Sequence, residues 1–392
     1  MKANPGGQID LSEIIGRSEI IEQIWETLAQ QSIRLNAERR IGKTTIIKKL
    51  CAEPKPGWVP IFQDLEQYHT AFDFAQAVYR EVDSFLSTRQ QSARRAKDFL
   101  KAIGGTEIKG ILKLPTFTEQ IPWKTLLTKS IEDLVEAQQH ERPLLLWDEM
   151  PLMLQSIATR EGQSTVMEVL DTLRALRQEQ GGQGLRMILT GSIGFHHVVD
   201  SLKHHGYANS PLNDLFAFEL PTLTPIFARE LATKLIVGEN IQTEDMEAGS
   251  IAIAELSDGF PFYIHHIVKA VKLSGREAKV DSINELVTKQ LVDGNDPWEL
   301  AHYQDRIPTY YGNNTESLVL SLLDSVAVRG KPTPVNELLQ ELKNMGLQID
   351  REQLLRLLRA VEQDHYLARD AQGLYQFKFP LLKRWWMLSR GL

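Results

Sequence analysis

Gly42, Lys43 and Thr44 are the residues of this chain whose types and spacing point most directly to chemistry. They follow Leu35-Asn36-Ala37-Glu38-Arg39-Arg40-Ile41 and open an apolar helical pattern, where a strand should end and a helix begin. Glycine lets the backbone approach a phosphate, lysine supplies a point cation for the β and γ oxygens, and the threonine hydroxyl suits a Mg²⁺ shell. Arg40, Ile41, Gly42, Lys43, Thr44 and Thr45 are therefore the expected cradle of ATP or ADP. The pattern Gly-x-x-x-x-Gly-Lys-Ser/Thr fails at its first position, where Ala37 lacks glycine's easy access to positive φ.

A Gly-Lys-Thr triplet arises easily by chance, so it needs companions. Pro143-Leu144-Leu145-Leu146-Trp147-Asp148-Glu149 is an apolar run ending in two acids, the pattern of a buried parallel strand whose carboxyl end reaches a site. Asp148 would complete the Mg²⁺ shell with Thr44, and Glu149 would orient and deprotonate the attacking water. Leu185-Arg186-Met187-Ile188-Leu189-Thr190-Gly191-Ser192 repeats the strand pattern, and Thr190 and Ser192 are candidate sensors of the γ-phosphate.

These groups require an α/β core to position them. Glu19 to Ala29 has helical apolar spacing, Ser32 to Asn36 and Trp58 to Gln63 suit strands, and Thr44 to Cys51 suits the helix after the loop. The spacing predicts another amphipathic helix over Trp123 to Gln139. Between them, about residues 86–120, Arg94, Arg95, Lys97 and Lys101 precede an alternating stretch, Thr106 to Leu114, expected as a helix and hairpin inserted into the core. Beyond Leu220-Pro221-Thr222-Leu223-Thr224-Pro225, an extended linker, helices are expected at Phe227 to Ile236, Ile251 to Leu256 and Pro261 to Leu273.

The loop Ala37-Glu38-Arg39-Arg40-Ile41-Gly42-Lys43-Thr44 resembles that of bacterial and archaeal STAND-type ATPases of the AAA+ superfamily, Gly-x-Arg-Arg-x-Gly-Lys-Thr, in all but its first residue. Ile15-Gly16-Arg17-Ser18-Glu19, Asp148-Glu149-Met150-Pro151, Thr190-Gly191-Ser192 and Gly259-Phe260-Pro261-Phe262-Tyr263 match in the same order. The resemblance implies a P-loop core with a parallel sheet over residues 1–218, a helical lid over 219–312 and a winged-helix domain over 313–392. It adds Gly16 and Arg17 to the nucleotide contacts and places Pro261 against the base. Read without the resemblance, Gly259 and Pro261 simply stop one helix and start another.

The C-terminal region has helical patterns at Thr315 to Val328, Val335 to Met345 and Arg351 to Gln363, then two strand-like pieces joined by Asp370-Ala371-Gln372-Gly373. Arg351, Arg356 and Arg359 are its candidates for a DNA-facing surface. Eleven Lys/Arg against nine Asp/Glu from residue 314 onward leave no evident basic face. Arg174, Arg177 and Arg186 are candidates for an arginine acting in trans on a neighbour's nucleotide. The pairs His196-His197, His204-His205 and His265-His266 lack the ligand spacing of a structural metal site and suit surface or loop positions. Trp385-Trp386 suits core packing of a terminal helix.

At 392 residues the chain suits two or three domains, and 42% apolar with 24% charged residues is a globular composition. One cysteine, Cys51, excludes an intramolecular disulfide, and no run is apolar enough to span a bilayer. The polar start Met1 to Gln8 lacks the apolar core of a signal peptide, so a cytoplasmic location without membrane partners is expected. The expected enzyme is a slow regulatory ATPase, a switch that controls its own assembly or a separately encoded protein, and the resemblance implies a conflict system such as phage defence as its setting. The alternative is a DNA-binding AAA+ ATPase of the origin-binding or transposition-helper kind, acting through the winged helix. A third reading, prompted by Ala37, is a nucleotide-binding scaffold with little turnover.

Overall fold

The computed structural model describes residues 1–89, 94–102, 106–108, 111–113, 122–138, 140–191 and 194–392. The chain forms two compact units: a sheet unit, Arg17–Arg39 and Lys43–Leu220, and a helical unit, Met1–Gly16, Arg40–Gly42 and Pro221–Leu392.

The sheet unit begins with α1 (Ser18–Gln30), whose Ile21, Ile24, Trp25 and Leu28 fall on one buried face. That spacing follows the 3.6-residue period. Then come β1 (Ile33–Asn36), α2 (Lys43–Ala52), β2 (Trp58–Asp64), α3 (Ala71–Thr88), α4 (Arg94–Ala102) and the strands β3 (Thr106–Ile108) and β4 (Ile111–Lys113). α5 (Trp123–Ala137), β5 (Arg142–Asp148), α6 (Met150–Glu161), α7 (Gln163–Gln180), β6 (Arg186–Thr190), α8 (Phe195–His204) and β7 (Phe216–Glu219) complete it. The sheet order is β2-β5-β6-β1-β7 and each pairing is parallel. β5 is buried from Pro143 to Asp148, because helices cover both faces of a parallel sheet. Trp147 and Phe74, both fully buried, meet edge to face at 5.2 Å inside the core.

β7 was not legible in the sequence. Phe-Ala-Phe-Glu is too short to mark a strand by itself, and with only Phe218 buried this strand is set by pairing with β1. The inserted helix and hairpin exist as α4 and the antiparallel pair β3–β4. Two of the α4 cations are internally engaged: Arg95 pairs with Glu132 and Glu136, and Lys97 with Asp83. Asp133 accepts the N–H groups of Arg95 and Ala96 at 3.2 and 3.0 Å, an anion at the start of a helix.

The helical unit contains α9 (Pro225–Gly238), α10 (Met246–Leu256), α11 (Pro261–Ser274), α12 (Val280–Leu291) and α13 (His302–Tyr311). It continues with α14 (Asn313–Ala327), α15 (Val335–Asn344), α16 (Arg351–Gln363), β8 (Leu367–Arg369), β9 (Tyr375–Phe377) and α17 (Pro380–Arg390). β8 and β9 pair antiparallel, giving a helix-helix-helix-hairpin order. Trp386 on α17 is fully buried and donates to Asp324 at 2.8 Å. The histidine pairs are not in loops: four of the six residues lie on α8 or its C-cap, and His265 and His266 lie on α11. His265 is buried, where its Nδ1 accepts the Asn4 N–H at 3.1 Å, and burial lowers its pKa to about 4.

Asp258 joins the end of α10 to α17 by accepting the Leu381 N–H at 2.6 Å. Burial raises its pKa from 3.8 to about 6, outweighing that hydrogen bond. A carboxyl that binds its proton more tightly when folded favours the folded state at low pH; this contribution is complete below about 4 and is lost as pH rises through about 6. Asp258→Asn removes the titrating group and is expected to flatten the pH dependence of Tm between those values, adding on the order of 1–3 kcal/mol at neutral pH. A Tm profile with the wild-type slope would refute this.

Candidate nucleotide site

The loop 37–42 connects β1 to α2, and its turn is made by left-handed residues, Arg40 at φ 68° and Gly42 at φ 96°. Ala37 is buried and is not among the left-handed residues, so the missing glycine does not remove a conformation the loop requires. The cost falls instead on Arg40, a non-glycine residue in a region worth about 1–3 kcal/mol of strain. Gly42 meets its own requirement freely, since left-handed φ carries no Cβ penalty there. Lys43 then starts α2, with Thr44 and Thr45 in its first turn.

Four predicted residues converge. Thr44 Oγ1 donates to Asp148 Oδ2 at 2.9 Å. The buried Lys43 Nζ lies 3.7 Å from Asp148 Oδ1 and 3.4 Å from Glu149 Oε1. Asp148 also accepts the Glu149 N–H at 3.0 Å. Burial raises the Asp148 pKa, the Lys43 cation opposes that shift, and the Glu149 charge adds to it. The strand ends at Asp148, and Glu149 turns left-handed at φ 55° at the N-cap of α6. Hydroxyl and carboxylate oxygens are hard ligands, so Thr44 and Asp148 fit Mg²⁺. Asp64 of β2, which the sequence reading did not single out, lies opposite Asp148 and brings a third acid to this end of the sheet. Its signal was a strand ending in an acid, as in β5.

No family model matches the chain, and no curated protein matches it. Solved structures do. The Walker-type ATPase of Pyrococcus abyssi is similar over 96% of each chain, with a TM-score of 0.63 and 18% identity. The ORC2 protein of Aeropyrum pernix, in ADPNP–ADP complexes, is similar over 95% of this chain and 91% of its own, with a TM-score of 0.50 and 12% identity. The fold is that of AAA+ P-loop ATPases.

Within the sheet unit, Thr190 ends β6 beside β1, fully buried, its Oγ1 without a hydrogen-bond partner among the described residues. Ser192 lies outside the described residues. Arg17 caps α1 and is buried, which lowers its pKa to about 10. Arg40, Ile41 and Gly42 belong to the helical unit, as do Gly16 and Pro261. Ile41 is buried. Gly16 faces α9 so closely that a Cβ would come within 2.5 Å of the Phe227 ring. Pro261 opens the first turn of α11.

Two of the three candidate arginines are braces of the sheet unit. Arg177 grips Asp214 at 2.7 and 2.9 Å and the Pro211 carbonyl at 2.8 Å. Arg186 donates to the carbonyls of Leu28, Gly181, Leu185 and Gln30. Arg174 is half-buried and makes a long 3.5 Å contact with the Ser210 carbonyl. No helix among the described residues is long and apolar enough to cross a membrane.

Proposed function

We propose that the chain is an ATP-dependent switch of STAND type. It binds ATP or ADP with Mg²⁺ through Lys43, Thr44 and Asp148, contacts nucleotide through Arg40, Ile41, Gly42, Thr45, Gly16, Arg17 and Pro261, reads the γ-phosphate with Thr190 or Ser192, and hydrolyses ATP slowly with Glu149. The observation that carries this reading is the meeting of Lys43 and Thr44 with Asp148 and Glu149 at the ends of α2 and β5. Lys43 lies within ion-pair distance of both acids; phosphates would draw the ammonium away and leave the carboxylates for Mg²⁺ and water. In this reading residues 1–218 are the ATPase core, 219–312 the lid and 313–392 a winged helix. The output is assembly with further copies or control of a separately encoded protein, in a cytoplasmic setting such as antiviral defence.

Light scattering tests the switch. Wild type with ADP should give one mass, and ATP with Mg²⁺, above all in Glu149→Gln, a larger one. An unchanged mass across these states would remove self-assembly as the output.

A DNA-bound AAA+ ATPase is the second reading, favoured by Arg356 and Arg359. Both are exposed on α16 and are neither hydrogen-bonded nor ion-paired among the described residues, whereas Arg351 is tied to Asn336 at 2.7 Å. Reversing both charges should abolish a salt-dependent affinity for duplex DNA if this reading holds.

A further inference from the structure

We propose that Glu299 is a latch on the phosphate loop, holding Arg40 and competing with phosphate for its guanidinium. The proposal rests on the nucleotide reading above and adds to it how access to the site is controlled.

The strained Arg40 backbone needs an anchor, and its side chain supplies one. The guanidinium carbon lies 4.3 Å from the centre of the Phe262 ring on α11, and the same group forms an ion pair with Glu299. Glu299 is itself left-handed, at φ 53°. Two strained residues therefore meet in one ion pair, and such strain persists only where neighbours enforce it. Those neighbours are visible. Asp296 accepts the N–H groups of Leu300 and Ala301 at 2.9 and 2.8 Å, fixing the turn that presents Glu299. Trp298, fully buried, stacks on Tyr263 with centroids 5.1 Å apart.

The grip on Arg40 is incomplete. Its Nε is buried without a hydrogen-bond acceptor among the described residues, so the planar fork has donors still to satisfy. A phosphate matches that fork better than a single carboxylate already tied to one edge. His266 contacts Phe262 at 4.4 Å between ring centres; burial and the Arg40 charge lower its pKa to about 4, so it is neutral at pH 7 and leaves Glu299 to Arg40. With Arg40 adjoining the loop amides that would meet the phosphates, the Glu299 carboxylate opposes an arriving anion and withholds the loop's cation.

The test has two arms. Without nucleotide, hydrogen exchange of the amides of residues 38–44 should be about tenfold or more faster in Glu299→Gln than in wild type, because the loop loses its anchor. Equal exchange would overturn the latch whether or not nucleotide binds. In the second arm, a fluorescent ADP is titrated into wild type, Glu299→Gln, Arg40→Ala and the double variant. Glu299→Gln should bind about three- to tenfold more tightly, and that gain should vanish in the Arg40→Ala background. Unchanged or weaker binding in Glu299→Gln would overturn the competition. Wild type that binds no ADP overturns the nucleotide reading, while the exchange arm still decides the Arg40–Glu299 contact.

Discussion

Lys43→Ala is expected to weaken ATP binding by at least a hundredfold, about 3 kcal/mol. The ammonium is buried against Asp148 and Glu149, at 3.7 and 3.4 Å. In surroundings of intermediate polarity, unit charges about 4 Å apart interact by about 4 kcal/mol, so losing the cation both removes an attraction for phosphate and leaves the two acids to repel it. The second effect separates this variant from an ordinary deletion: raising Mg²⁺, which would screen the acids, should recover part of the affinity. Titration of a fluorescent ATP analogue at two Mg²⁺ concentrations checks both statements. Wild-type affinity in Lys43→Ala would refute the site. Thermal unfolding of the same sample guards against a folding defect, since the uncompensated Asp148 can relieve its burial by taking up a proton.

Glu149→Gln should have the opposite signature, with binding kept or tightened and turnover reduced by about a hundredfold or more. Glutamine preserves the shape of the side chain but cannot accept a proton from water. It also releases Lys43 from one of its two carboxylate partners, which favours transfer of the ammonium to phosphate. Phosphate release in a single turnover measures the chemical step apart from nucleotide exchange. Undiminished turnover would assign the base elsewhere, and Asp64, opposite Asp148 on the neighbouring strand, would be the next residue to change.

The loop between β1 and α2, the acid pair and the repeated strand pattern were legible because each is a local signal. A run such as Leu144-Leu145-Leu146-Trp147 must be buried on both sides, and a β-loop-α unit around Lys43 follows from spacing alone. β7 was not legible, because its place depends on β1 far away in sequence rather than on its own four residues. The concern over Ala37 came from pattern matching, and the structure moved the strained position to Arg40. Arg177 and Arg186 looked available until distant carbonyls and Asp214 were seen to hold them.

By itself, then, the sequence determined an α/β core and singled out Lys43, Thr44, Asp148 and Glu149, which the structure brings together, since backbone period and side-chain chemistry are written residue by residue. Only the tertiary structure decided which cations are already engaged, that Lys43 rests between two acids, and that Arg40 is held by Phe262 and Glu299. Partnership between residues more than 100 or 250 positions apart depends on where packing places them, and no local pattern encodes that.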